Sequence, residues 1–267
     1  MRPDSTTVVS VDAETGAAVL IGIPRDLQYA PFPEDSPLSA LYPDGYGRDG
    51  CEVDVCQFNS ISTEVEIYHP ELYPDAAERG SSPGIEATRE AAEGVTGLTI
   101  QYYALIDMWG FQDLIDALGG VTISVPEAVP IHTDDTFTEV LEWIGPGVVH
   151  MNGYTALWYA RSRHDTTDYD RMLRQRQLQE AIMQQFTPAN VLSKFESIAD
   201  AGAQVVRTDV PQSMLGFFVD LAGKTREQEI VSVELTPLGD VDPEDPDFAY
   251  IRQLVADATA PAAPAEP

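Results

Sequence analysis

One run of the chain, residues 154–186, constrains its structure more than any other. It holds five of the 15 basic residues in a chain whose formal net charge is −29. These are Arg161, Arg163, Arg171, Arg174 and Arg176. A cationic cluster in an otherwise acidic chain creates a local field that attracts anions. The run therefore predicts an anion-binding site.

The second half of this run predicts a long helix. From about Asp168 to Thr187 it has neither proline nor glycine and is rich in Arg, Gln, Leu and Met. At about 100° per residue, one stripe of such a helix is polar in its first turns and apolar further on. The stripe consists of Arg171, Arg174, Gln175, Leu178 and Ile182. If the apolar end packs on a core, the polar end also points inward.

The first half of the run adds two arginines, and the whole run has an alternative interpretation. Arg161 and Arg163 are separated by one residue, so they share a side if that segment is extended. The alternative is a solvated helix face, because most charge runs are solvated. Its surface partners would be Asp168, Asp170 and Glu180.

Length and composition exclude some classes of protein. With 267 residues and 43% hydrophobic residues, the chain can bury the core of one large domain or two small ones. A sequence pI near 4.1 argues against a nucleic-acid partner, which requires a broad basic surface. No apolar run reaches the roughly 18 residues of a membrane span, and no signal peptide is evident. We therefore expect either a cytosolic protein or a piece of a longer one.

The two cysteines, Cys51 and Cys56, stand in a C-x4-C pattern. Such a pair either closes a small disulfide loop in an oxidising compartment or remains as two free thiols. Zinc is disfavoured, because there is no second cysteine pair and His69 and His132 stand alone.

A hairpin signal opens the chain. The apolar and β-branched runs 6–11 and 17–23 are joined by the turn sequence DAETG. Pro24 ends the second run, and Arg25 and Asp26 follow it, a usual place for site residues in α/β sheets. Taken alone, this dipeptide is equally well explained as a surface ion pair.

The remaining elements alternate between strand and helix, which predicts the α/β class. Strands are expected at 98–106, 121–125 and 229–235, and helices at 84–94, 109–118, 152–159, 191–202, 210–222 and 247–256. In the helix 109–118, Trp109, Leu114 and Leu118 are expected to face the sheet. Long loops are expected at 29–56 and 68–83, and a loop with a short helix at 133–147. The Pro/Ala-rich residues 258–267 are expected to form a disordered tail.

Several motifs in one order resemble the LytR-CpsA-Psr family of bacterial cell-wall enzymes. They are R-P-D-S at 2–5, I-P-R-D at 23–26, F-N-S at 58–60, WGFQDLIDALGGV at 109–121, G-x-x-A-L-x-Y-A-R-S-R at 153–163 and D-Y-D-R-x-x-R-Q at 168–175. The resemblance covers the chain to about residue 257 and implies one catalytic domain over 1–257. It also implies an α/β/α sandwich with a central mixed β-sheet and an apolar tunnel for a prenyl chain.

The resemblance further implies a function. Family members are membrane-anchored outside the cytoplasmic membrane. They move a glycan phosphate from a polyprenyl-pyrophosphate carrier to peptidoglycan, usually with Mg²⁺, with pyrophosphate hydrolysis as a side activity. Arginine forks and a hard cation suit such phosphoryl transfer, which needs charge neutralisation and positioning. No nucleic acid is expected.

Site residues follow motif by motif from the resemblance. Asp4 matches a metal ligand, and Arg25, Arg161, Arg163 and Asp168 match catalytic positions. The positions expected to contact the substrate are Arg2, Arg25, Gln57, Asn59, Arg161, Arg163, Arg171, Arg174 and Gln175. Asp26 and Asp168 are candidates for the base that activates the acceptor hydroxyl.

The chain departs from the family pattern in two places. The strand before R-x-D, which ends in Gly-x-Asp and supplies a second metal ligand, is absent, as is the membrane anchor. We expect an N-terminally incomplete sequence rather than a misassigned start or a degraded metal site. Gln57 stands where the family usually has lysine, and an amide cannot neutralise a phosphate.

These departures leave a second hypothesis, a non-catalytic polyprenyl-phosphate-binding protein with a degraded metal site. The glycan could be teichoic acid, capsule, arabinogalactan or a glycoprotein glycan. The arginine-rich, lysine-poor composition and the cysteine pair favour a high-GC Gram-positive source and thus arabinogalactan or another actinobacterial polymer. We also hypothesise that a Cys51–Cys56 bridge braces the loop carrying Asn59.

Overall fold

The computed structural model describes residues 2–48, 50–132, 139–162, 167–200 and 206–260, with the main chain alone at 168 and 195–200. Its strands are β1 (Thr6–Val11), β2 (Ala18–Ile23), β3 (Ala104–Ile106), β4 (Val121–Val125), β5 (Val129–His132), β6 (Val140–Ile144), β7 (Gly147–Met151), β8 (Val206–Thr208) and β9 (Val231–Glu234). Its helices are α1 (Pro37–Leu41), α2 (Ile61–Tyr68), α3 (Pro83–Thr96), α4 (Met108–Ala117), α5 (Gly153–Arg161), α6 (Asp168–Gln185), α7 (Pro188–Asp200), α8 (Leu215–Thr225) and α9 (Phe248–Thr259).

The chain forms two compact units. Unit 1 comprises residues 1–103, 208–210 and 228–267, and unit 2 comprises residues 104–207 and 211–227. That residues 1–257 form one catalytic domain stays a prediction. Among the helices that the structure describes, none combines the length and the apolar character of a membrane span.

Unit 1 is built on a three-stranded mixed sheet. β1 pairs with β2 in antiparallel register, and β2 pairs with β9 in parallel register. β2 is almost wholly buried, which explains its continuous apolar run, AVLIGI. Its side chains share one core with residues of α2, α3 and α9. The segments expected as long loops are ordered here by α1 and short 3-10 turns, and they bury Leu38, Tyr42 and Tyr46.

Unit 2 packs helices on small antiparallel ladders. β4 pairs with β7, and β5 pairs with β6. The inward residues of these strands share a core with α5 and with Leu178 of α6. β4 shows the expected alternation, because Val121, Ile123 and Val125 are buried while the residues between them are exposed.

The α/β class is confirmed, whereas a single central sheet is not. The described strands divide into the sheet of unit 1 and three two-stranded ladders, β3–β8, β4–β7 and β5–β6. The predicted hairpin and the strands at 121–125 and 229–235 are confirmed within a residue or two. The predicted helices are present, although α8 begins later than expected, at Leu215, and α9 runs into the predicted tail.

The strand predicted over 98–106 is wrong for most of its length. Only Ala104–Ile106 is a strand, because carboxylates take the preceding amides. Ile100 N donates to Glu93 Oε1 at 2.7 Å, and Tyr103 N donates to Asp209 Oδ1 at 2.8 Å. Side-chain carboxylates thus accept the hydrogen bonds that the main chain of a neighbouring strand would otherwise accept.

Two further predictions in unit 2 are corrected. The loop with a short helix predicted at 133–147 is instead strand at Val140–Ile144, and residues 133–138 lie outside the described part. The turn into β7 places Gly145 and Gly147 at φ of 78° and 115°, values that favour glycine. Trp109 does not face a sheet, since it lies in the first turn of α4 and is 74% exposed.

Candidate functional site

Strand register brings Asp4 and Arg25 together in unit 1. Thr6 pairs with Ile23, so the residues just before β1 and just after β2 lie side by side. Arg25 Nη1 donates to Asp4 Oδ1 at 3.3 Å. The side chains are 28% and 62% exposed, so a solute can reach both. A guanidinium and a carboxylate therefore lie together at the end of the sheet.

The F-N-S motif lies against the same chain segment as Arg25. Asn59 N donates to Arg25 O, and Phe58 N donates to Leu27 O, each at 3.0 Å. Asn59 is buried, and Gln57 N is capped by Ser60 Oγ at 3.0 Å. The main chain of Phe58 and Asn59 is thus tied to residues 25–27, and the roles expected for Gln57 and Asn59 stay predictions.

The disulfide between Cys51 and Cys56 is formed, with a Cα–Cα distance of 5.9 Å. Both cysteines pack against the core of unit 1. The loop that they close precedes Gln57 directly, which fits the hypothesis that it braces the segment carrying Asn59. Whether this bracing affects binding stays a prediction.

The buried carboxylate of Glu64 binds main-chain amides of the disulfide loop, residues 51–56. It is fully buried and accepts hydrogen bonds from Glu52 N at 2.9 Å, Val53 N at 3.0 Å and Tyr42 Oη at 3.0 Å. Burial and the Glu64 carboxylate raise the pKa of Tyr42 above its ordinary value. Glu64 was not predicted as a buried residue, because nothing in the sequence pattern of α2 distinguishes it from the other residues of the helix.

Arg2 contacts the disulfide loop. Its guanidinium donates to Asp54 Oδ1, and the two side chains are 37% and 76% exposed. The hydrogen bond from Arg2, together with its charge, holds the pKa of Asp54 below its ordinary value. Arg2 therefore lies on the surface of unit 1, and its expected contact with phosphate stays a prediction.

In unit 2, the arginine stripe of α6 is buried. Arg171 is 2% exposed, Arg174 is 8% exposed and Leu178, one turn further on, is 3% exposed. The solvated-face alternative is therefore wrong for Arg171 and Arg174. The Thr167 hydroxyl caps this helix and pairs with Asp170, and bonds from the Thr167 main chain and hydroxyl lower the pKa of Asp170.

Arg174 and Gln175 bind main-chain carbonyls at the end of α5. Arg174 Nε donates to Tyr159 O at 3.0 Å, and its Nη2 donates to Ser162 O. Gln175 Nε2 donates to Ala160 O at 3.0 Å. The last carbonyls of a helix lack partners within it, so these side chains complete the helix end. Burial lowers the pKa of Arg174. The sequence did not reveal this role, and direct contact with phosphate stays a prediction.

Arg161 is the last residue of α5, and Ser162 after it is extended, so the expectation that Arg161 and Arg163 share a side stays a prediction. Its guanidinium carbon lies 5.1 Å from the centre of the Trp158 ring, a cation–π contact. Arg163 lies outside the described residues, as does the side chain of Asp168. Their predicted roles are untested.

Known proteins with similar sequences indicate the family of this chain. The family model described as the LytR_cpsA_psr family matches residues 1–250. The polyisoprenyl-teichoic acid–peptidoglycan teichoic acid transferase TagV of Bacillus subtilis (strain 168) is 30% identical over 132 residues, 49% of this chain and 34% of TagV. The regulatory protein MsrR of Staphylococcus aureus (strain COL) is 30% identical over 214 residues, 79% of this chain and 52% of MsrR. The chain thus spans about half or less of the length of these curated relatives.

Solved structures agree on the fold. The crystal structure of B. subtilis TagV matches with a TM-score of 0.62 at 21% identity, covering 96% of this chain and 89% of that one. The structure of TagT bound to LIIa-WTA matches with a TM-score of 0.59 at 16% identity, covering 96% and 85%. At such low identity these likenesses establish the fold alone.

Proposed function

Because the chain belongs to the LytR-CpsA-Psr family, we propose that it is a transferase that ligates a cell-wall glycopolymer to peptidoglycan. The donor is a glycan phosphate on a polyprenyl-pyrophosphate carrier, and the acceptor is a sugar hydroxyl, on muramic acid, of the peptidoglycan. The name of the relative TagV, a teichoic acid transferase, supports this class of reaction. The observation that carries the proposal is the accessible pair Arg25 and Asp4 at the end of the hairpin.

Arg25 binds a phosphate of the carrier. Its planar guanidinium matches two phosphate oxygens at once, and its partial burial strengthens the interaction over one in open water. Asn59, whose main-chain N–H donates to Arg25 O, is proposed as a further contact to the substrate. In the proposed reaction these groups neutralise and orient the phosphate.

Asp4 is the residue that would hold Mg²⁺. Mg²⁺ typically binds one or two protein carboxylates plus substrate phosphates, and Asp4 supplies one partly exposed carboxylate beside a phosphate-binding arginine. In the described part of the chain, no group of three or more His, Cys, Asp or Glu could hold an ion. The residues present thus fit an ion that the substrate helps to bind. When bound, Mg²⁺ would neutralise charge on the phosphate oxygens.

The arginines of unit 2 divide into two roles. Arg161, Arg163 and Arg171 are proposed to contact phosphate, as the family motifs imply. Arg174 and Gln175 are proposed to act as positioning residues, because they hold the carbonyls at the end of α5 where Arg161 lies. The lipid part of the carrier is proposed to occupy the apolar tunnel that family membership implies.

The proposed location is the cell envelope, outside the cytoplasmic membrane and attached to it. The formed disulfide supports an oxidising compartment. The partners proposed there are the lipid-linked glycan and the peptidoglycan acceptor.

The test uses the full chain with a labelled oligosaccharide on a prenyl pyrophosphate, peptidoglycan fragments and Mg²⁺. We expect label in peptidoglycan and release of prenyl phosphate, both lost on chelation. Arg25→Ala removes two charge-assisted hydrogen bonds of about 1.5–3 kcal/mol each, so transfer should fall by roughly two to four orders of magnitude.

The control is Arg48→Ala in the same unit, which makes the same change of charge. Arg48 is 55% exposed and pairs with Glu244 at 2.7 Å, so its loss should leave transfer unchanged. Unchanged transfer in Arg25→Ala would remove Arg25 from the site. Binding of the prenyl pyrophosphate without transfer or hydrolysis at any Mg²⁺ concentration would instead support the non-catalytic binding protein.

A further inference from the structure

Unit 1 contains a cavity that the proposed reaction does not use. Its volume is about 410 Å³, within the range of small-molecule pockets. Its walls come from the chain after Tyr29, the segment around α1 and the turn before α9. Four aromatic side chains line it, Tyr29, Phe32, Tyr42 and Phe248, together with the carboxylates of Asp44 and Asp245.

The cavity is held in shape by backbone contacts. Ala30 and Tyr46 exchange main-chain hydrogen bonds of 3.1 and 2.9 Å, which tie two of its walls together. Gly45 has a φ of 87°, and a Cβ there would lie 2.2 Å from Tyr29 O. Tyr29 itself has a φ of 55°, uncommon for a residue other than glycine. Only glycine at 45 allows this close approach, so the wall is preformed.

Two of the four lining rings are also held in place. The rings of Phe32 and Tyr42 lie 6.1 Å apart at 34°. The Tyr42 hydroxyl donates to the buried Glu64, which anchors that ring from behind. A preformed aromatic surface binds a ligand at a lower entropic cost than a mobile one.

The charges around the cavity are negative. Asp44 and Asp245 are exposed at its edge, and among the described residues that line it none is a lysine or an arginine. Arg48 lies nearby in sequence but pairs with Glu244. Aromatic faces and carboxylates both attract cations, and substituted ammonium groups are the ligands that aromatic cages recognise.

We propose that this cavity binds a ligand carrying a substituted ammonium group. The rings contact the methyl or methylene groups on nitrogen, and Asp44 and Asp245 compensate its charge. A neutral saccharide is the competing occupant, because aromatic rings and carboxylates also bind sugars. The absence of any cation among the described lining residues favours the ammonium group. The proposal stands independently of the transferase reaction.

The test titrates the full chain with choline, followed by tyrosine fluorescence and by NMR shifts of aromatic protons. The matched probe is 3,3-dimethylbutan-1-ol, which has the same shape without the charge. We expect saturable binding of choline that weakens with salt, and no saturable binding of the alcohol. Equal binding of both would overturn the proposal, as would saturation by a neutral chito-oligosaccharide with none by choline.

Variants distinguish binding of choline in the cavity from its attraction by the net negative charge of the chain. Phe248→Leu removes one ring but keeps an apolar side chain, so choline affinity should fall about two- to fivefold. Asp245→Asn should weaken it by roughly fivefold at low salt. Asp35→Asn makes the same change of charge on an exposed residue outside the lining and should have no effect. Equal losses in Asp35→Asn and Asp245→Asn would show attraction by net charge alone and overturn the proposal.

Discussion

Replacing Arg174 by methionine should destabilise unit 2 while leaving its apolar contacts in place. Two hydrogen bonds are lost, from Nε to Tyr159 O and from Nη2 to Ser162 O. Bonds from a charged donor contribute about 1.5–3 kcal/mol each, so the gross loss is roughly 3–6 kcal/mol. Removing a charge that burial disfavours offsets part of this, as the lowered pKa of Arg174 indicates. We therefore expect a net loss near 3 kcal/mol.

The assay is urea unfolding of the full chain, followed by circular dichroism. The matched control is Arg176→Met, two residues along the same helix. Arg176 is 28% exposed and its Nε lies 3.6 Å from Glu180 Oε1, an i,i+4 pair of about 0.3–0.5 kcal/mol. Arg174→Lys keeps the positive charge but loses the planar guanidinium. Its free energy of unfolding should therefore lie between those of Arg174→Met and Arg176→Met.

A free energy of unfolding for Arg174→Met that matches Arg176→Met would refute the reasoning. Arg174 would then act on a ligand rather than on the end of α5. Transfer activity gives a second readout, because a displaced α5 end should also displace Arg161. Full transfer at reduced stability would restrict Arg174 to a role in folding.

Two further changes test the cap of α6 and the disulfide loop. Thr167→Ala should cost about 1 kcal/mol and raise the pKa of Asp170 part of the way to its ordinary value, because the hydroxyl bond is lost while the main-chain bond remains. The pKa of Asp170 is lowered by folding, so its contribution is present above the ordinary Asp pKa and disappears as the pH falls through the folded value. Carboxyl carbon NMR titration checks this, and an unchanged Asp170 pKa would contradict it. Replacing both Cys51 and Cys56 by serine should lower the free energy of unfolding by about 2 kcal/mol, the amount expected for so short a closed loop. Reductant should shift the unmodified chain equally, and identical unfolding curves with and without reductant would contradict the expectation.

The hairpin and the buried helix stripe were predictable because each has a local signature. The runs 6–11 and 17–23 are β-branched or apolar and flank a turn sequence, and the structure places β1 and β2 there. The polar-to-apolar stripe of α6 predicted that Arg171 and Arg174 point inward, and both are buried. In each case neighbouring residues alone determine the element.

Other features depend on partners distant in sequence. Tyr103 N bonds to the carboxylate of Asp209, and no local pattern reveals that such a side chain replaces a strand. The carbonyls that Arg174 and Gln175 bind belong to another helix. β6 escaped prediction because Leu141 and Trp143 are exposed apolar residues, which obscure the alternation of the strand.

The pairing of Thr6 with Ile23 has a consequence for how this family can vary. In an antiparallel pair the two residue numbers have a constant sum along the ladder, so Asp4 meets Arg25 whatever the connecting turn contains, provided that both strands keep their lengths. Insertions between Asp12 and Ala17 should therefore be tolerated, whereas deleting one residue from either strand would turn one partner to the opposite face. Homologues should show length variation in the turn and none in the strands.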